Sequence, residues 1–292
     1  LEIEGVYPAI ITPFNDRMDL NVDAYTDFLT TLLKTDIDGI VITGTTGEAP
    51  YLSYEERKII YRETSHIVGT KKTIICGVGD ISLRKTLENC KLAERFGFDI
   101  LLILTPYYFK LSQAQLKEYY REVCEYVETP ILLYNFPQVT GIRIEPKTVN
   151  DLINNKEVIG IKDSSGDLRY YLDIRYLLKN KGKIFIGNAK ISLATLYMGA
   201  DGLILALANI LPKTFKKIYI AVKEGRYRDA MRIYREIYPI MDTFERIGIP
   251  FIKYLLSKLG INVGYPRAPL KRINYLENED KLLDIIREKE EY

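Results

Sequence analysis

The run Val158-Ile159-Gly160-Ile161-Lys162-Asp163 carries apolar and glycine positions straight into a lysine. An uninterrupted run of this kind reads as a strand covered on both faces. Its C-terminal end is where a parallel α/β sheet keeps its chemistry. A lysine held out of water loses affinity for its proton, because burial disfavours the charged form. The neutral amine can then attack a ketone or aldehyde and form an imine. The plainer reading is a strand-end lysine paired to Asp163 or to another nearby carboxylate.

Two more clusters close similar runs. Tyr134 ends Ile131–Tyr134 and brings an apolar ring with an ionisable hydroxyl. Within reach of Lys162 it can shuttle protons while a carbinolamine collapses. Gly44-Thr45-Thr46-Gly47 offers backbone N–H groups and two hydroxyls on a sharp turn, a small cradle for a carboxylate. Singly, a strand-end tyrosine is also a packing residue and a Gly-Thr turn is also just a turn. Together the three fit an enzyme acting on a 2-oxo acid such as pyruvate. The carboxylate is anchored, the amine attacks C2, water leaves, and a C3 proton is lost to give an enamine. The iminium nitrogen is the electron sink, so no metal or cofactor is required.

These residues need a scaffold that sets strand ends side by side. Short apolar runs recur at Val6–Ile11, Ile40–Thr43, Thr73–Val78, Ile100–Leu104, Ile131–Tyr134, Val158–Lys162, Ile184–Ile186 and Leu203–Ala206. Amphipathic stretches separate them, from Val22–Lys34 to Pro212–Lys223. Eight strand–helix units in strict alternation predict a parallel sheet closed into a (β/α)8 TIM barrel. After Gly225 the pattern changes, and Tyr227–Arg246, Ile249–Leu259 and Asn278–Glu291 read as helices. The expected organisation is therefore a catalytic barrel over 1–225 and a C-terminal helical extension over 226–292. The closing charge run Arg287–Glu290 reads as a solvated helix end.

Composition narrows the function classes. Lysine and arginine number 41 against 39 acidic residues, a formal charge of +2, which argues against a nucleic-acid surface. No apolar run approaches the ~18 residues of a membrane span, and no signal peptide is read, so a soluble cytoplasmic protein is expected. Cys76, Cys90 and Cys124 are far apart and odd in number, which suggests neither a disulfide framework nor a zinc site. The single histidine, His66, lies on a predicted outer helix, so histidine metal sites and a Ser-His-Asp arrangement are not expected. A glycine fingerprint after the first strand and a P-loop are both missing from the sequence.

The motifs resemble those of the dihydrodipicolinate synthase / N-acetylneuraminate lyase family of class I pyruvate aldolases. They are Pro8–Phe14, Gly44-Thr45-Thr46-Gly47-Glu48, Thr105-Pro106-Tyr107-Tyr108, Tyr134-Asn135-Phe136-Pro137 and Gly160-Ile161-Lys162-Asp163, in family order along nearly the whole chain. The resemblance implies that Lys162 forms the imine and that Tyr134 is the acid/base. It implies that Thr45 and Thr46 hold the pyruvyl carboxylate, and that Pro8, Val139, Gly187 and Ile204 line the substrate pocket. It further implies that Tyr108 reaches a neighbouring subunit's site, completing a Thr45–Tyr108–Tyr134 proton relay in a homotetramer built as a dimer of dimers.

Within the family, the synthases carry an arginine two residues after the strand-five proline, where it anchors the aldehyde partner's carboxylate. This chain has Val139 there, and Arg143 nearby is expected on the loop's outer side. The archaeal 2-keto-3-deoxygluconate aldolases look more alike here, and also at Tyr107-Tyr108-Phe109 and Gly264–Pro269. The implied reaction is reversible cleavage of 2-keto-3-deoxygluconate, or its 6-phosphate, to pyruvate and glyceraldehyde or its phosphate. The alternatives are 4-hydroxy-tetrahydrodipicolinate synthase, condensing pyruvate with aspartate semialdehyde, and a catalytically silent sensor or scaffold. The chain departs from many relatives at Gly187-Asn188-Ala189-Lys190, where an acidic residue is common.

Overall fold

A computed structural model of the protein describes residues 3–179 and 181–290. Its strands are β1 (Gly5–Pro8), β2 (Gly39–Ile42), β3 (Thr73–Gly77), β4 (Ile100–Leu104), β5 (Ile131–Asn135), β6 (Val158–Asp163), β7 (Lys183–Ile186) and β8 (Gly202–Leu205). They form one sheet in the order β1-β8-β7-β6-β5-β4-β3-β2. A parallel bridge between Ala9 and Val41 joins the first two strands and closes the ring. This is the expected (β/α)8 barrel. Parallel strands covered on both faces must be apolar throughout, and β4 (ILLIL) and β5 (ILLYN) are buried almost without a break.

The helices are α1 (Val22–Leu33), α2 (Tyr54–Val68), α3 (Leu83–Arg95), α4 (Gln113–Tyr126), α5 (Pro137–Thr140), α6 (Pro146–Ile153), α7 (Leu168–Leu178), α8 (Ala189–Tyr197), α9 (Pro212–Lys223), α10 (Tyr227–Ile247), α11 (Ile249–Lys258) and α12 (Glu279–Glu290). Their starts follow from local chemistry. Ser53 with Glu56, and Ser112 with Gln115, close reciprocal capping boxes on α2 and α4. Asn21, Ser82, Asp167 and Asn188 cap α1, α3, α7 and α8 with their side chains. Most predicted boundaries fall within a residue or two; the short α5 was not foreseen. Glu291, at the end of the predicted last helix, and the chain-terminal residues of both expected domains lie outside the described residues.

Two compact units divide the chain. One holds residues 73–204, with β3 to β7, most of β8 and helices α3 to α8. The other holds residues 5–72 and 205–290, with β1, β2, α1, α2 and α9 to α12. In the second unit the end of α12 corrects the expectation of a solvated charge run. Glu290 is 3% exposed; its carboxylate accepts from the backbone N–H groups of Lys213 at 3.1 Å and Thr214 at 2.9 Å. The reason is at the start of α9: Pro212 has no N–H and Leu211 cannot cap, so the first-turn donors take a partner 76 residues away. Burial raises the Glu290 carboxyl, against these hydrogen bonds.

Cys76 and Cys90 are buried and Cys124 is half-buried; none of the three forms a disulfide among the described residues. His66 lies exposed on α2. Among the described residues no helix is long and apolar enough to cross a membrane, and no cluster of three potential metal ligands occurs.

Candidate active site

The centre of the site is set by register. Where β5 meets β6, Tyr134 is the Cα partner of Lys162 and Asn135 is the partner of Asp163. Side chains alternate along a strand, so Tyr134 and Lys162 share one face while Asn135 and Asp163 share the other. Lys162 is 4% exposed, and its Nζ stands 4.1 Å from the centroid of the Tyr134 ring. Lys162 has no salt bridge to any described residue. The plainer reading, a lysine paired to Asp163, is therefore not what the structure shows.

Asp163 is occupied on its own face. Its Oδ1 accepts from Asn135 Nδ2 at 2.7 Å and from the Ser165 N–H at 3.1 Å, and its Oδ2 accepts from Ser165 Oγ at 2.8 Å. Burial raises its carboxyl above the usual range, with the Asn135 and Ser165 donors pulling the other way. Asn135 Oδ1 in turn accepts from the Ile144 N–H at 3.1 Å. Gln138 on α5 donates to the Ser165 carbonyl at 2.5 Å. The ends of β5 and β6 are thus locked from behind, which holds the tyrosine–lysine pair in place.

Gly187 follows β7, and its N–H donates to the Asp163 carbonyl at 2.7 Å. A Cβ built on it would stand 2.0 Å from Ser164 Oγ and 3.0 Å from Lys162 Cε. Only glycine leaves the lysine stem its room. Ser164, 7% exposed, is a neighbour that sequence reasoning missed. The available signal was spacing, since two residues after Lys162 the chain returns to the same face. Asn188 caps α8, with Oδ1 accepting from the backbone of Lys190 at 2.9 Å and of Ile191 at 3.3 Å, so Lys190 lies in the first turn of that helix.

The other expected residues take varied positions. Pro8 ends β1 and Ile204 lies in β8; both are buried. Val139 lies on α5 and is 50% exposed. Arg143, close by in sequence, pairs with Asp167 at 3.0 Å and lies 5.1 Å from the Tyr170 ring centroid. Tyr108 is 87% exposed, has a φ of +84°, and meets Phe109 edge-on at 5.1 Å. Tyr108 makes no hydrogen bond among the described residues of its own chain.

The Gly44–Glu48 turn belongs to the second unit. Gly47 and Ala49 donate to the Gly44 carbonyl at 3.1 and 3.3 Å, and Glu48 donates to the Thr45 carbonyl at 3.0 Å. Thr46 is buried and Thr45 half-buried. Two non-glycine residues in left-handed backbone flank the turn, Thr43 at φ +46° and Glu48 at φ +55°. Behind it Glu48 Oε1 meets Lys253 Nζ at 2.5 Å with both side chains essentially inaccessible. Burial pushes the Lys253 ammonium down to about 8, against the pull of Glu48.

The Lys162 amine is thus buried without a carboxylate partner, lies over the Tyr134 ring and has Gly187 beside its stem. Residues 2–289 match the model of the Dihydrodipicolinate synthetase family. A 4-hydroxy-tetrahydrodipicolinate synthase from Methanocaldococcus jannaschii is 32% identical over 284 residues, 96% of each chain. One from Thermosipho africanus is 35% identical over 272 residues, 91% of this chain and 92% of its own. The crystal structure of a chloride-inhibited dihydrodipicolinate synthase from Acinetobacter baumannii, complexed with pyruvate, superposes with a TM-score of 0.92 at 28% identity, covering 99% of both chains. Matched from near its first residue to near its last, the chain belongs to the dihydrodipicolinate synthetase family, whose members are class I pyruvate-dependent aldolases and lyases.

Proposed function

We propose that the protein is a pyruvate-releasing aldolase in which Lys162 forms the covalent imine. The observation that carries this reading is the Lys162–Tyr134 pair, buried and without a carboxylate partner for the amine. The amine attacks C2 of a 2-keto-3-deoxy sugar acid, and the Tyr134 hydroxyl protonates the carbinolamine oxygen so that water leaves. Tyr134 then takes the proton of the C4 hydroxyl. The C3–C4 bond breaks, the aldehyde departs, and the bonding electrons flow into the iminium to give an enamine. Protonation at C3 and hydrolysis release pyruvate and restore the lysine. Thr45 and Thr46 hold the carboxylate throughout, and Pro8, Gly187, Ile204 and Val139 line the pocket. Tyr108, held out from its own chain, serves a neighbouring subunit's site in a cytoplasmic homotetramer.

The choice of aldehyde rests on α5. Val139 stands where a carboxylate-binding arginine would be needed, and an aliphatic side chain cannot make that contact. Arg143 does not replace it, because its guanidinium is committed to Asp167 and Tyr170. A polyhydroxy aldehyde without a carboxylate, glyceraldehyde or its phosphate, needs no such anchor. The second reading, condensation of pyruvate with aspartate semialdehyde, is favoured by the names of the relatives.

Borohydride reduction in the presence of pyruvate tests the chemistry. The expected result is a pyruvyl-derived mass on the peptide carrying Lys162 and none on a Lys162→Ala protein; an unmodified peptide would reject the imine. Turnover of 2-keto-3-deoxygluconate set against that of aspartate semialdehyde then separates the two readings.

A further inference from the structure

The Gly44–Glu48 turn is held in a conformation its residues do not favour. Thr43, β-branched, has φ +46° and Glu48 has φ +55°. Positive φ at such residues persists only where surrounding contacts over-determine it. The contacts are present and come from far along the chain. Lys253 on α11 donates to Glu48 Oε1 at 2.5 Å, to the Thr12 carbonyl at 2.7 Å and to the Tyr265 carbonyl at 3.0 Å. The Arg267 N–H donates to Glu48 Oε2 at 2.7 Å. The Arg267 guanidinium reaches the carbonyls of Met18 at 2.6 Å and Tyr51 at 2.6 Å and the carboxylate of Glu56 at 2.5 Å. Lys253 and Arg267 both lie against the Phe14 ring, at 4.5 and 4.0 Å. From the other side Thr12 Oγ1 donates to the Gly47 carbonyl at 2.7 Å. A Cβ on Gly47 would stand 3.0 Å from the Ile10 carbonyl, so the turn has no slack there.

A buried ion pair is an expensive way to gain stability, since desolvation cancels most of its attraction. What this pair does supply is a fixed place for Glu48, and Glu48 is the last residue of the turn. We propose that Lys253, Arg267 and Thr12 are positioning residues for catalysis: the C-terminal helical segment clamps the strained turn through Glu48 and thereby sets the affinity for the pyruvate carboxylate. This rests on the reading of Thr45 and Thr46 as the carboxylate cradle. The clamp does not touch the amine, so its loss weakens binding of the carboxylate more than it slows the chemical steps.

The test uses the full chain. In E48Q/K253M both charges are removed together, so that neither is left buried alone. The expected result is a rise of about tenfold or more in the KM for pyruvate with kcat within about threefold of wild type. Borohydride trapping of acetone, a ketone without a carboxylate, should proceed at the wild-type rate on Lys162. Thr12→Val removes a hydroxyl and no charge; it is the second variant, decides the matter should the first not fold, and is expected to raise the same KM about threefold. Folded variants that bind pyruvate as wild type does, or that lose acetone trapping in equal measure, would overturn the clamp alone. A wild-type chain that gives no pyruvyl adduct would instead sink the imine reading, and the clamp with it.

Discussion

Asn135 and Asp163 are matched twice over: they are Cα partners across β5 and β6, and their side chains meet at 2.7 Å on the face turned away from Lys162. Asn135→Ala would leave a buried carboxylate short of a donor and the Ile144 N–H short of an acceptor. The expected loss of stability is roughly 2–3 kcal/mol at neutral pH. Burial already raises the Asp163 carboxyl, and Asn135 is the largest pull in the other direction. The native state of the variant therefore takes up a proton at higher pH than wild type, while the unfolded chains titrate alike. The charge penalty is complete above the folded value and is relieved as pH falls through it toward the ordinary carboxylate range. Urea unfolding at pH 7 and pH 5 should show the deficit shrinking on acidification; a deficit that grows would contradict this.

Gly187→Ala puts a methyl group where Ser164 Oγ and the Lys162 stem already are. The variant is expected to fold, because Gly187 follows β7 and its Cβ meets side chains rather than backbone. Turnover should fall by about a hundredfold as the amine is displaced. Adding Ser164→Gly relieves the nearer of the two clashes and should restore part of the rate, which steady-state kinetics on the single and double variants will read.

The barrel was legible because its information is local. Each strand is an apolar run, each helix a periodic stretch with a cap, and eight repeats close only one way. Lys162 and Tyr134 were legible as strand ends for the same reason. What could not be read was which side chain turns to which. Asp163 adjoins Lys162 in sequence, yet it points to the opposite face and binds Asn135, 28 residues away. The partner of Glu48 lies 205 residues downstream, and nothing in the local pattern announces it. Glu290 is one of a run of charges that looked solvated, yet it was recruited by the uncapped start of α9. Polar contacts of long sequence separation are created by the fold and leave no periodicity behind.

The thiols should be quiet. Cys76 and Cys90 are buried, and burial pushes the Cys90 thiol far up. Cys124 is half-buried, and its thiol is pushed up to about 11, by burial first and then by the Glu157 charge. At pH 8 about one Cys124 in a thousand is thiolate, the reactive form. A disulfide reagent added to native protein at pH 8 should release almost no colour in minutes, and three equivalents once the chain is unfolded in denaturant. Between pH 8 and 10 the native rate should climb about tenfold per unit. Rapid labelling of the folded protein at neutral pH would show that Cys124 is far more acidic than its surroundings imply.

Val139→Arg turns the reading of α5 into a gain-of-function experiment. The position is 50% exposed on a short helix, so a longer side chain meets no packed core. Arg143 remains held by Asp167, leaving the new guanidinium free to turn toward an incoming carboxylate. A charge-assisted bidentate contact contributes on the order of 1.5–3 kcal/mol. Specificity for aspartate semialdehyde, measured as kcat/KM, should therefore rise by about tenfold or more, while that for glyceraldehyde stays level or falls. The pyruvate KM should not move, because the proposed carboxylate cradle of Thr45 and Thr46 is untouched. If the wild-type chain already uses aspartate semialdehyde well and the substitution adds nothing, the aldehyde's carboxylate is bound elsewhere and the sugar-acid assignment falls to the synthase reading.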